Sequence, residues 1–125
     1  MSERILIVDD EQIIREVIEN ILNSMGCAVD CAQDGAAALE LFQQSLQEGK
    51  PYDAMLLDLT IHGGMGGKEV VRHMRSIDPS VKAVVLSGYS TDPVFVDFKQ
   101  HGFAAALQKP FQVDEFKSLI SRLLD

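Results

Sequence analysis

Five polar residues stand at the ends of four short apolar runs: Asp9 and Asp10 behind Ile5 to Val8, Asp58 behind Ala54 to Leu57, Ser87 behind Ala83 to Leu86, and Lys109 behind Ala104 to Leu107. Three carboxylates drawn together repel one another and raise at least one pKa, a penalty that a divalent cation removes. Ligands that are all oxygen favour Mg2+, which takes one or two carboxylates, keeps several waters and leaves a position for a phosphate oxygen. Lys109 can then neutralise a phosphate oxygen on the side away from the metal, and the Ser87 hydroxyl can donate to another. Positioning and charge neutralisation are most of what phosphoryl transfer requires. A carboxylate can itself be the nucleophile and carry the phosphoryl group as an aspartyl phosphate.

Taken singly, each residue has a plainer explanation. Asp9-Asp10 reads as a turn and helix cap, Asp58 as the start of a glycine-rich loop, Ser87-Gly88 as a turn, and Lys109-Pro110 as a solvated charge before a helix. What sets them apart is the scaffold that would have to bring all of them to one rim. Apolar run, polar turn and amphipathic stretch recur five times, with Ala28 to Ala32 as the weakest run. Between the runs, Ile13, Ile14, Val17, Ile18, Ile21, Leu22 and Met25 keep helical spacing up to Gly26. A second helix is expected over Ala36 to Leu46, with Gly49 and Pro51 beyond it, and a third over Lys68 to Arg75, closed by Asp78-Pro79. Asp92-Pro93 opens a fourth that leads through Val94, Phe95, Val96 and Phe98 to His101-Gly102, and a fifth follows Val113-Asp114.

Strands separated by single helices pair in parallel, because each needs a crossover connection, and that crossover is right-handed. The expected fold is α/β: one doubly wound, five-stranded parallel sheet with helices on both faces. Ligands of such sheets bind beyond the carboxyl ends of the strands, where these five residues lie.

The 125 residues carry 11 Lys and Arg against 19 Asp and Glu, a net charge of −8. That length is one domain, residues 1–125. The acidic balance and the lack of a Lys/Arg run argue against binding nucleic acid, whose phosphate backbone attracts dense positive charge. No apolar run approaches the roughly 20 residues of a membrane span. The N-terminus lacks a basic region followed by a signal-like apolar core, which points to the cytoplasm. Cys27 and Cys31 are expected to be buried free thiols on one face of the second strand.

The segments Ile-Leu-Ile-Val-Asp9-Asp10-Glu11, Leu56-Leu57-Asp58-Leu59-Thr60, Leu86-Ser87-Gly88 and Lys109-Pro110-Phe111 together resemble response-regulator receiver domains of two-component phosphorelays, in order and across nearly the whole chain. The resemblance implies a flavodoxin-like strand order of 2-1-3-4-5. It also implies that Asp58 accepts a phosphoryl group from a phosphohistidine on a sensor histidine kinase or phosphotransfer protein. Asp10, Asp58 and the Thr60 backbone carbonyl would bind Mg2+, with Asp9 acting through a metal-bound water. Lys109 would pair with the phosphoryl group, Ser87 would shift toward it, and the Lys109-Pro110 bond would be cis.

Two features depart from the family pattern. Ala106 stands where a switch tyrosine or phenylalanine is common, leaving Phe103 or Tyr89 as candidate substitutes. His62 stands where proline is frequent, in the loop Ile61-His62-Gly63-Gly64-Met65-Gly66-Gly67. It reads either as a pH-sensitive modulator of the neighbouring site or as a solvent-exposed loop residue. The glycine-rich stretch resembles receivers fused to hybrid sensor kinases. Two other functions compete with a phosphoacceptor switch. One is a phosphorylation-independent docking scaffold. The other is an Mg-dependent phosphatase with an aspartyl intermediate, which an Asp-Asp pair without a capping insertion disfavours. Glu11 and Glu16 read as helix-start acids.

Overall fold

The computed structural model describes residues 3–59, 65–88 and 91–125. Its elements alternate without exception: β1 (Arg4–Val8), α1 (Gln12–Ser24), β2 (Ala28–Ala32), α2 (Gly35–Gln47), β3 (Ala54–Asp58), α3 (Gly67–Ile77), β4 (Ala83–Ser87), α4 (Pro93–Val96), β5 (Ala105–Gln108) and α5 (Val113–Leu124). The strands form one sheet in the order β2-β1-β3-β4-β5, and every pair is parallel. The expected architecture and strand order are therefore both present.

Successive residues of a strand point to opposite faces, and the core divides accordingly. Leu6, Val8, Met55, Leu57 and Val85 face α2 and α3, meeting Phe42, Val70, Val71 and Met74. Ile5, Ile7, Leu56, Val84 and Leu86 face α1 and α5, meeting Ile18, Leu22, Phe116 and Ile120. The three central strands are thus apolar on both sides, and their hydrophobic runs are continuous rather than alternating, as sheets covered on both faces require.

Capping fixes where the helices stop and start. Gly26, at φ +86, closes α1 with the paired bonds of a Schellman motif, Cys27 N–H to the Leu22 carbonyl at 3.0 Å and Gly26 N–H to that of Asn23 at 3.1 Å. Asp34 caps α2 by accepting from the Ala37 N–H at 2.8 Å. At α5 a capping box between Gln112 and Glu115 starts the helix at Val113, before the expected point.

Two expectations are corrected. The fourth helix begins as its Asp92 cap and Pro93 dictate, but it covers only four residues; Asp97 leaves helical geometry, and turns carry the chain to Gly102. After Phe98 the sequence Lys-Gln-His offers no apolar side chain to hold a further helical turn against the sheet, and an unpacked turn is not self-sustaining. Cys27 is buried but precedes β2, whereas Cys31 lies on β2 and is exposed. The strand is at the sheet edge, where only Ala32 is fully buried.

Candidate functional site

Strand register brings the polar residues level. Val8 pairs with Leu57, Asp58 with Leu86 and Ser87 with Gln108, so Asp9, Asp58, Ser87 and Lys109 emerge on neighbouring strands at the carboxyl edge. Asp58 ends β3 and Ser87 ends β4, so each is the last paired residue of its strand. Ser87 is fully buried, and its carbonyl accepts the Lys109 N–H at 2.8 Å. The Lys109-Pro110 peptide is cis, as the resemblance implied. The ring of Phe111 beyond it stacks on Phe116 of α5, with centroids 5.2 Å apart, which anchors the segment carrying the lysine.

Lys109 Nζ lies 2.7 Å from Asp9 Oδ2, 3.1 Å from Asp58 Oδ2 and 3.7 Å from Glu11 Oε1. Asp9 is fully buried and Asp58 nearly so. The second Asp9 oxygen accepts the Glu11 N–H at 2.9 Å, and the Arg15 guanidinium donates to the Asp9 carbonyl at 2.6 Å. Both Asp9 carboxylate oxygens are thereby engaged. Burial pushes its pKa up; the hydrogen bonds from Lys109 and Glu11 pull the other way without cancelling it. For Lys109, burial disfavours the charge, yet the bond to Asp9 and the field of Asp58 prevail and its pKa rises, so the ammonium form is secured.

One ligand oxygen from each of Asp9, Asp10, Glu11 and Asp58 lies within 4.8 Å of the others. Among the described residues, three of these carboxylates, Asp9, Glu11 and Asp58, lie within 3.7 Å of the Lys109 ammonium. A divalent cation with oxygen preference fits that donor set, and the small, hard Mg2+ ion matches carboxylate and water ligands.

The structure thus unites Asp9, Asp10, Asp58 and Lys109, and sets Ser87 on the adjoining strand. Thr60, His62 and Tyr89 lie outside the described residues. Phe103 is buried in the core beside α2 and α3, against which Ala106 also packs. Glu11 is the member that sequence reasoning missed. It precedes α1 and its side chain is 64% exposed, so it reads as an ordinary helix-start acid until the fold carries Lys109 to it.

Residues 5–121 match the family model described as the response regulator receiver domain. This chain belongs to the response-regulator receiver family. Sporulation initiation phosphotransferase F of Bacillus subtilis is 31% identical over 99% of this receiver and 95% of its own length. The response regulator MprA of Mycobacterium is 33% identical over 99% of the receiver, which spans about half (51%) of that protein. Among solved structures, chemotaxis protein CheY4 of Vibrio cholerae superposes with a TM-score of 0.87 at 25% identity, covering 99% of this chain and 100% of that one. Response regulator TrrA of Thermotoga maritima, in complex with Mg2+-BeF, gives 0.83 at 32% identity over 98% and 99%. Receiver domains are the phosphoacceptors of two-component systems, are phosphorylated by histidine kinases and in general bind Mg2+. No helix among the described residues is long and apolar enough to cross a membrane.

Proposed function

We propose that Asp58 is the phosphoacceptor of this receiver, and that Asp9, Asp10 and Asp58 hold Mg2+ together with the Thr60 carbonyl. The observation that carries this reading is the Asp58 carboxylate at the sheet rim, 2% exposed, 3.1 Å from Lys109 and within a four-carboxylate cluster. When bound, Mg2+ supplies positive charge that lets a phosphoryl group approach these carboxylates.

An Asp58 oxygen attacks phosphorus of a phosphohistidine donor. The new O–P bond forms as the P–N bond breaks, and the leaving imidazole nitrogen keeps the electron pair. Lys109, already placed at Asp58 Oδ2, turns its ammonium to a phosphoryl oxygen, while Asp9 keeps the lysine aimed at the rim. The Ser87 hydroxyl donates to a second phosphoryl oxygen, and the movement this requires transmits phosphorylation toward α4 and β5. The donor is a sensor histidine kinase or histidine phosphotransfer protein in the cytoplasm. Resemblance of the Gly63 to Gly67 stretch to receivers of hybrid kinases supports a donor fused to the same chain.

Intact-mass analysis after incubation with acetyl phosphate tests the reading. A single phosphoryl adduct is expected that requires Mg2+ and is absent from Asp58→Asn. An adduct that persists in Asp58→Asn assigns the nucleophile elsewhere. No adduct on folded, Mg-bound wild type, from either acetyl phosphate or a phosphohistidine donor, would instead favour the docking scaffold.

A further inference from the structure

Lys68, Arg72 and Arg75 recur along α3 at spacings of four and three, which places them on one face of the helix. The turns between α4 and β5 bring Lys99, Gln100 and His101 against that face, enclosing an open cavity of about 310 Å3. Four of the chain's 11 Lys and Arg therefore line one groove, and no Asp or Glu does, although the protein carries 19 of them. Among the described residues none of these four cations forms an ion pair. The groove is also shaped by the fold. Gly102 stands at φ +94, and a Cβ there would lie 2.5 Å from Arg75 Cδ, so only glycine lets the Arg75 stem rest on the turn.

The chemistry of the lining selects the ligand. Lysine and arginine are donors without acceptors, and among the lining side chains only the Gln100 amide oxygen and a His101 ring nitrogen can accept. A matching ligand is multiply negative and nearly all acceptor. An acidic peptide also brings backbone N–H donors, for which the four cations offer no acceptor. An extended nucleic acid must also meet the field of a −8 protein, whereas a compact anion feels mainly the groove, since screening confines surface fields to about 8 Å at physiological salt. Arginine forks bind phosphate oxygens in pairs, and the face from Lys68 to Arg75 extends about 10 Å along the helix. We propose that this groove is a site for a short phosphoanhydride chain, either the triphosphate of a nucleotide or free tripolyphosphate.

The test is calorimetric titration of the full chain with tripolyphosphate, ATP and adenosine in the presence of a chelator, which keeps Mg2+ from bridging phosphate to the carboxylate cluster. Wild type is expected to bind the two phosphate compounds and not adenosine. Equal affinity for both assigns the site to the phosphate chain alone, and tighter ATP binding assigns it to a nucleotide. Arg72→Gln/Arg75→Gln, at two exposed positions, should weaken binding at least about tenfold, the loss of one or more charge-assisted hydrogen bonds. Lys99→Gln, outside any helix, should weaken it in the same direction. Lys117→Gln/Arg122→Gln removes the same charge from α5 and should change binding less than about twofold. The proposal is overturned if wild type binds neither phosphate compound, if both double variants lose binding equally, or if a hexaglutamate peptide binds as well as tripolyphosphate.

Discussion

The two ends of the sheet each carry a polar cluster that joins β1 to its neighbours, and the clusters are built on opposite principles. At the amino end, Arg4 of β1 pairs with Asp30 of β2 at 3.3 Å, lies over the Tyr52 ring at 4.7 Å and donates its backbone N–H to Asp53 at 2.7 Å. Tyr52 in turn donates to Asp30 at 2.7 Å. Burial and that carboxylate acceptor push the phenol pKa well up, so it remains a neutral donor. The charges of Arg4 and Asp30 meet each other there. At the carboxyl end, four carboxylates gather within ligand distance of one another, two of them buried, and among the described residues Lys109 contacts three. An ion pair braced by a ring and a phenol ties strands together, whereas carboxylates gathered at one rim form a donor set for a cation. Stability and function are thereby separated along the strands by about the length of β1.

Breaking each end should therefore give opposite results. Lys109→Met should slow adduct formation on Asp58 by about a hundredfold, the effect of removing one preorganised donor at a reacting anion, as read by the time course of the intact mass. Gly67→Ala attacks the same end through the backbone. Its Cβ would stand 2.7 Å from the Asp58 carbonyl oxygen, so α3 must shift, at a cost of about 1–3 kcal/mol in urea unfolding. Tyr52→Phe, at the other end, should cost about 1 kcal/mol by removing the partner of Asp30, with an unchanged phosphorylation rate. Asp10→Asn should do the reverse. The rise in melting temperature that Mg2+ gives wild type should disappear, while metal-free stability in urea changes by less than about 0.5 kcal/mol.

These contrasts also explain what could be read from sequence. Asp9, Asp10, Asp58, Ser87 and Lys109 are legible because each interrupts an apolar run at the strand's carboxyl end, and parallel topology sends those ends to one rim. Glu11 is not, since its role depends on a lysine 98 positions away reaching it. The Arg4, Asp30 and Tyr52 cluster depends on register, which sets Arg4 beside Ala28 and carries Asp30 two residues up the next strand. The length of α4 was illegible because its Asp-Pro start is strong and its failure lies in packing that is missing after Phe98. The basic groove joins a helix face to a turn, and each half alone reads as a solvated surface.

The central claim is that phosphoryl transfer converges on Asp58 within this particular cluster. Borohydride reduction of the phosphorylated chain converts an aspartyl phosphate to homoserine, and peptide mapping locates it. Homoserine at position 58 alone, formed only with Mg2+ present, is the predicted result. Homoserine at Asp9 or Asp10, or at Asp58 irrespective of Mg2+, would contradict the account.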